Sequence, residues 1–339
     1  MPSSFVGRWL RNNRFAYALL GGILCTGWRF CENRGQIAKP MSTILRWFRR
    51  MGRAVLDLIS DYSFYFRPKR RRQQAFIHQL LADSNSLPEK RLIVSLSTMP
   101  DRINRLQPTL NSLLNQTRPP DEIVLAVPKF SVRQQRDYKI PDYLFQIRKV
   151  RVLRCEKDWG PATKFIAVVQ DELAASRNDT LIMAVDDDRI YPRDSIELYL
   201  HYHEQLPDAA LCFRGSPMPR SLNWRDCKIE VGVDLHAPKK TAVMTGCGSY
   251  LIQPRFFDES LWDYSTAPAG AFYMDDMWIS GCLERRGVDR YIIPASAMMR
   301  TAFRQIGTMT LHDVPNGRRQ HNNETITFFR ANWKVFTSR

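Results

Sequence analysis

From residue 92 onward, apolar residues come in short blocks separated by polar segments that carry Gly and Pro. Residues 92–96 (LIVSL) and 122–127 (EIVLAV) are apolar runs of strand length. Between them Leu106, Leu110, Leu113 and Leu114 recur at the period of a helix laid on a sheet, and Pro119 and Pro120 break it. Strand, helix and strand, with a loop after the first strand, predict the opening of a right-handed α/β unit. Neither GxGxxG nor GxxxxGK follows Leu96, so neither the dinucleotide fingerprint nor the P-loop is present. Residues 129–149 have no clear period and read as an excursion before a strand at 150–154. Further on, the pattern predicts a helix over 165–174, a strand over 181–185, a helix from 194 to about 206, and short strands near 209–213 and 291–293.

Polar residues interrupt this pattern where chemistry is expected. The strand at 181–185 runs directly into Asp186, Asp187 and Asp188 and then turns through Tyr191-Pro192. A buried strand delivering carboxylates at its C-terminal end presents ligands to a crevice at the sheet edge. On an extended chain Asp186 and Asp188 point one way, toward a single hard cation, and Asp187 the other; the rival reading is an acidic surface turn. Asp158-Trp159-Gly160-Pro161 shapes a turn before Lys164, which opens a helix where backbone donors attract anions, so Lys164 suits a diphosphate; a solvated lysine is the alternative. Thr245 to Tyr250 (TGCGSY) packs small residues densely enough for a ligand to approach the backbone, or for a tight packed turn. Asp275 and Asp276 begin another helix, as caps or as catalytic carboxylates. In the polar segment that follows, His312 suits the open side of a metal sphere, or plain exposure.

Composition changes the picture at the amino-terminal end only. The chain has 339 residues and a formal net charge of +16; through residue 90 there are 16 Lys/Arg against 5 Asp/Glu, a net +11, which leaves +5 for the remainder. Residues 15–27 form an apolar run of about thirteen residues, short of the roughly twenty that a membrane span requires. Residues 41–66 alternate apolar and basic positions, and Arg67, Lys69, Arg70, Arg71 and Arg72 add a basic cluster. This combination predicts an association of residues 1–72 with an anionic membrane surface, at the cytoplasmic face or, alternatively, in an organelle or Golgi lumen. A packed amphipathic helix, a targeting segment and nucleic-acid binding are the competing uses, and no specific nucleic-acid partner is expected. Seven cysteines without a CxxC pair fit a reducing compartment.

Taken together, the loop at 92–102, WGPATK at 159–164, VDDDRIYP at 185–192, TGCGSYLI at 245–252 and YMDDMWISGCLERRG at 273–287 resemble, in order, the GT-A fold glycosyltransferases of the broad family 2-like type, with some likeness to exostosin-type transferases. The resemblance implies an α/β fold: a single GT-A domain that binds a nucleotide sugar, with a mixed, mainly parallel central sheet and flanking helices. The expected division is a basic extension at 1–90, the GT-A domain at 91–305 and a polar tail at 306–339 that covers the active site. The resemblance further implies a metal-dependent transfer from a nucleotide diphosphate sugar, with UDP the expected nucleotide, of a hexosyl or N-acetylhexosaminyl unit to a hydroxyl of a glycan, glycolipid or protein, with inversion. Mn²⁺ or Mg²⁺ would be held by Asp186, Asp188 and His312. The donor would meet Thr98, Arg102, Lys164, Asp186, Asp187, Gly246, Gly248 and Ser249; Asp276 would be the base, with Asp275 orienting it or exchanging roles. Retaining exostosin-like transfer and a non-enzymatic membrane or nucleic-acid binding protein are the alternatives. Family 2-like members often carry an acidic residue after the second strand to read uracil, whereas this chain has Val127-Pro128.

Overall fold

The computed structural model describes residues 68–82, 90–302 and 318–334. Strands β1 (Leu92–Ser97), β2 (Glu122–Pro128), β3 (Val150–Cys155), β4 (Leu181–Val185), β5 (Ala210–Cys212), β6 (Lys239–Lys240), β7 (Tyr250–Ile252) and β8 (Arg290–Ile292) form one sheet in the order β6, β8, β5, β7, β4, β1, β2, β3. The β1–β2, β1–β4, β2–β3 and β5–β8 pairs are parallel. Strand β7 runs antiparallel to β4 and β5, and β6 antiparallel to β8. This mixed, mainly parallel α/β sheet with flanking helices is the GT-A architecture expected from the sequence.

The near-continuous apolar runs are explained by burial on both faces. Leu92, Val94 and Leu96 point into one core with Ile123, Leu125, Val127, Leu181, Met183 and Val185. Ile93 points into the other with Val124, Ala126, Ile182 and Ala184. Helix α1 spans Pro68–Ala82 and α2 Gln107–Leu114; α3 spans Thr163–Ala174, α4 Ser195–Gln205, α5 Asp275–Arg285 and α6 Arg318–Phe328. Helix α3 covers the second face through Phe165, Ile166, Val168 and Val169. On the first, Leu110 and Leu113 of α2 and Ile196, Tyr199 and Leu200 of α4 close the layer.

Two expectations about the flanks change. Helix α1 packs on the protein's own core: Ile77 is fully buried in the first core, and Gln73 Nε2 donates to the Leu235 carbonyl at 2.7 Å. Among the described residues no helix is long and apolar enough to cross a membrane. The predicted membrane association is corrected to this extent: the described part of the basic segment spends its apolar side on the protein's own core, and no described helix can cross a membrane. The runs at 15–27 and 41–66 lie outside the described residues. The tail was expected to be a polar cover, yet Ile326, Phe329 and Trp333 are buried in the second core, with Phe329 edge-on to Trp278 at 5.4 Å. Each such burial contributes about 1.5–3 kcal/mol, enough for three side chains to dock a helix whose other positions are mostly polar.

Candidate active site

The crevice is built at the C-terminal ends of the central strands. Strand β4 stops at Val185, so the three carboxylates sit in a turn and not on an extended chain. That turn is fixed from below: Tyr191 Oη accepts from the Asp186 amide at 2.8 Å, the Tyr191 amide donates to Ser112 Oγ at 3.1 Å, and Gln116 Nε2 donates to the Pro192 carbonyl at 2.8 Å. Thr109 Oγ1 donates to the Asp187 carbonyl at 2.9 Å, and the Ala302 amide donates to that of Asp188 at 2.7 Å. Helix α2 and the strand Arg300–Thr301, paired with Arg189–Ile190, thus grip the acidic turn from two sides.

Each carboxylate has a distinct environment. Asp187 is buried, accepting from Thr98 Oγ1 at 2.5 Å and from the Arg102 guanidinium. Burial raises its pKa to about 6, against the pull of Arg102. Asp188 shares Arg102 at 2.8 Å and has Arg189 at 3.6 Å. Asp186 lies 2.7 Å from the ammonium of Lys164. Burial pushes the Asp186 carboxyl upward, but Lys164, then Arg189 and Arg102, outweigh it and hold it below the ordinary carboxylate value.

Lys164 joins the two acidic motifs. Its Nζ is 2.7 Å from Asp186 Oδ1 and 2.8 Å from Asp275 Oδ2, and the residue is only 4% exposed. Burial works against the ammonium, yet Asp186, Asp275, Tyr250 and Asp276 together hold its pKa well above the usual lysine value. The turn that delivers it depends on Gly160, whose φ of +62° only glycine adopts readily and where a Cβ would overlap the Phe272 carbonyl. Asp158 caps this turn, accepting from the Gly160 amide at 2.8 Å.

On the opposite wall Asp275 and Asp276 occupy the first turn of α5, where the helix dipole favours negative charge, although neither caps the helix with its side chain. Asp275 is buried, whereas Asp276 is partly exposed and accepts from the Gly246 amide at 2.6 Å. A Cβ on Gly246 would lie 2.9 Å from Asp276 Oδ1 and 3.1 Å from Lys164 Nζ, so a larger residue would crowd both. Gly248 packs on Arg214. Ser249 is fully buried with φ +68° and shares a 3.0 Å hydrogen bond with Tyr199 Oη, placing its side chain in the core beneath the crevice.

Thr98, Arg102, Lys164, Asp186, Asp187, Asp188, Gly246, Asp275 and Asp276 are therefore brought together by hydrogen bonds and ion pairs at the strand ends, while Ser249 is buried against Tyr199. His312 lies outside the described residues. Sequence reasoning passed over Arg133, Arg189 and Arg214, and read Asp158 only as part of the turn before Lys164. Arg214 Nη1 donates to Thr245 Oγ1 at 2.9 Å and contacts Cys247 Sγ at 3.1 Å. Arg189 was legible as the residue after the acidic triplet; Arg133 sits in a segment whose pattern carried no signal. A separate open cavity of about 740 Å³ lies between Pro268 and Arg319, Gln320, Asn323, Glu324 and Thr327, and no site carboxylate lines it.

Asp186 and Asp188 are oxygen ligands of the kind hard cations take, and each is paired with a cationic side chain, Lys164 for Asp186 and Arg102 for Asp188. Among the described residues no group of three Asp, Glu, His or Cys is placed to hold a metal.

Residues 101–245 match the family model described as glycosyl transferase family 2. No curated protein matches the chain. Among solved structures the chain is similar to S. aureus TarS 1–349, with 16% identity, a TM-score of 0.37 and coverage of 62% of this chain and 60% of that one. It is also similar to GalNAc-T7 in a structure with UDP, GalNAc and Mn²⁺, with 14% identity, a TM-score of 0.43 and coverage of 64% of this chain and 44% of that one. The chain thus spans less than two thirds of either protein's own length in those structures. The relationship is to family 2 and not specifically to exostosin-type transferases. The family match thus covers residues 101–245, which carry the acidic turn at 186–188 within a sheet of GT-A architecture, and relates that part of the chain to the family 2 glycosyltransferases.

Proposed function

We propose that the protein transfers a glycosyl unit from a nucleoside diphosphate sugar, a UDP-sugar being the first donor to test, to a hydroxyl of a glycan, glycolipid or protein acceptor, with inversion. One observation supports this reading: Lys164 ties the strand-end carboxylate Asp186 to the helix-start carboxylate Asp275 within 2.8 Å of each, which joins the two acidic motifs.

Asp188, with Asp186, would hold Mn²⁺ or Mg²⁺, which when bound offsets charge on the leaving diphosphate. Thr98 and Arg102 fix Asp187, and through it the turn that presents Asp188. Asp276 accepts the proton of the acceptor hydroxyl as that oxygen attacks the anomeric carbon; the bond to the diphosphate breaks and its electron pair leaves with the phosphate oxygen. The amide of Gly246 orients the Asp276 carboxylate for this role. Lys164 holds Asp186 and Asp275 in register, and a direct phosphate contact by its ammonium requires one of these ion pairs to open.

The test is calorimetry of nucleoside diphosphates with Mn²⁺ and with chelator, followed by hydrolysis and transfer assays over a panel of nucleotide sugars. Binding of UDP or GDP that weakens in chelator supports the reading. Absence of binding to every nucleoside diphosphate overturns it.

A further inference from the structure

Arg133 lies in the turn between the short strands Phe130–Ser131 and Arg136–Asp137, which follow β2. The backbone around it is pinned to both neighbouring loops. Asp158 Oδ2 accepts from the Val132 amide at 2.8 Å, Gln134 Oε1 accepts from the Asp101 amide at 3.3 Å, and Tyr138 Oη donates to the Thr98 carbonyl at 2.8 Å. Val132 and Gln135 on either side are exposed, while Arg133 turns inward. Its Nη2 is buried and has no hydrogen-bond partner among the described residues.

The groups around this guanidinium do not neutralise it. Asp158 acts on it electrostatically, but both Asp158 oxygens already accept from backbone amides, of Val132 and of Gly160. Arg102 repels it, and Arg102 is itself committed to Asp187 and Asp188. Tyr138 and Tyr273 complete the surroundings. Burial, then Arg102, depress its pKa, and outweigh the opposing pull of Tyr273, Asp158 and Tyr138. Arg102 Nε is likewise buried without a hydrogen-bond acceptor, and Arg189 Nε has only the Asp188 carboxylate at 3.6 Å. A half-buried guanidinium with an unbonded inward donor is only partly compensated in the empty protein, and such a group is matched when a ligand supplies the acceptor and counter-charge.

We infer that Arg133 binds the phosphate oxygens of the donor's diphosphate and finds its counter-ion only when a nucleotide is bound. This rests on the donor reading above, and assigns a nucleotide contact to a segment whose sequence pattern carried no signal. A planar guanidinium donating to phosphate makes charge-assisted hydrogen bonds that contribute about tenfold to a hundredfold in affinity.

The test compares the whole chain with its Arg133→Gln and Arg133→Lys variants, titrated with uridine, UMP and UDP (and the guanosine series) in Mn²⁺, alongside thermal melting without ligand. Arg133→Gln is expected to weaken the diphosphate about tenfold to a hundredfold, to leave the nucleoside within about twofold, and to melt at or above the wild-type temperature, because no internal hydrogen bond is lost. Arg133→Lys is expected to fall between the two. Unchanged diphosphate affinity in Arg133→Gln, equal losses for nucleoside and diphosphate, or a lower melting temperature in both variants would overturn the assignment while leaving the donor reading intact. Normal diphosphate affinity with loss confined to a donor bearing an acidic sugar would also overturn it. A wild-type chain that binds no nucleoside diphosphate overturns the donor reading first.

Discussion

Replacing Lys164 with Met tests the link between the two acidic motifs directly. The side chain keeps most of its volume, so the change isolates the ammonium, which lies 2.7 Å from Asp186 and 2.8 Å from Asp275. Removing one partner of a buried ion pair costs about 3–5 kcal/mol, because the remaining charge is left uncompensated. The Asp275 side chain is 6% exposed and that of Asp186 29%, so water relieves Asp186 and the penalty falls mainly on Asp275. Proton uptake sets a ceiling: an ordinary Asp carboxyl is protonated at pH 7 for about 4 kcal/mol, and at pH 5 for about 1.5 kcal/mol. The variant should therefore lose about 3–4 kcal/mol at pH 7 and no more than about 1.5 kcal/mol at pH 5. The sign follows from linkage. Asp186 is held below its unfolded value in the wild type, so its contribution is present above the unfolded pKa and disappears as pH falls through the folded one. Urea unfolding followed by tryptophan fluorescence at the two pH values measures this, with similar m-values as the check on a common unfolded state. A loss below about 1 kcal/mol at pH 7, or one that does not shrink on acidification, would show that Lys164 is not the group that holds Asp186 charged.

Further outcomes are expected at other positions. Asp276→Asn keeps an acceptor for the Gly246 amide but cannot take a proton, so transfer should fall roughly 10²–10⁴-fold while Mn²⁺-dependent donor binding persists; a matching fall in donor affinity in calorimetry would move Asp276 out of the base role. Asp188→Ala should abolish most of the Mn²⁺ dependence of UDP binding, and an unchanged dependence would remove Asp188 from the cation site. Burial, aided by Lys90 at 3.1 Å from Nε2, lowers the pKa of His203 to about 4. Between about 6.5 and 4 only the unfolded chain binds that proton, so stability should drop with falling pH by up to about 3 kcal/mol, and His203→Gln should flatten the melting temperature over that window. Gly160→Ala combines a disfavoured φ with overlap on the Phe272 carbonyl and should cost more than about 2 kcal/mol in chemical denaturation; near-wild-type stability would mean that the turn relaxes freely.

What the sequence determined by itself was whatever depends on neighbours along the chain. The runs at 92–96, 122–127 and 181–185 are strands because only a doubly covered sheet buries five successive apolar residues, and the spacing of Leu106, Leu110 and Leu113 leaves α2 one face to hide. An apolar strand running into three carboxylates also marked the crevice, since charge at a strand end must face water or a ligand. Tertiary structure decided the rest. Strand β7 enters antiparallel between β4 and β5, a pairing between segments about 70 and 40 residues apart that no local period encodes. The alternation expected for Asp186 to Asp188 gave way because the strand ends at Val185, and Arg102 then reaches both Asp187 and Asp188. Residues 129–149 looked featureless because a short hairpin pinned by distant groups needs no period of its own, and the inward turn of Arg133 is visible only once Asp158 and Thr98 are in place. Lys164 read as a cation free to meet phosphate. Burial between Asp186 and Asp275 made it a bridge, because an ammonium withdrawn from water must find its counter-charge inside the fold.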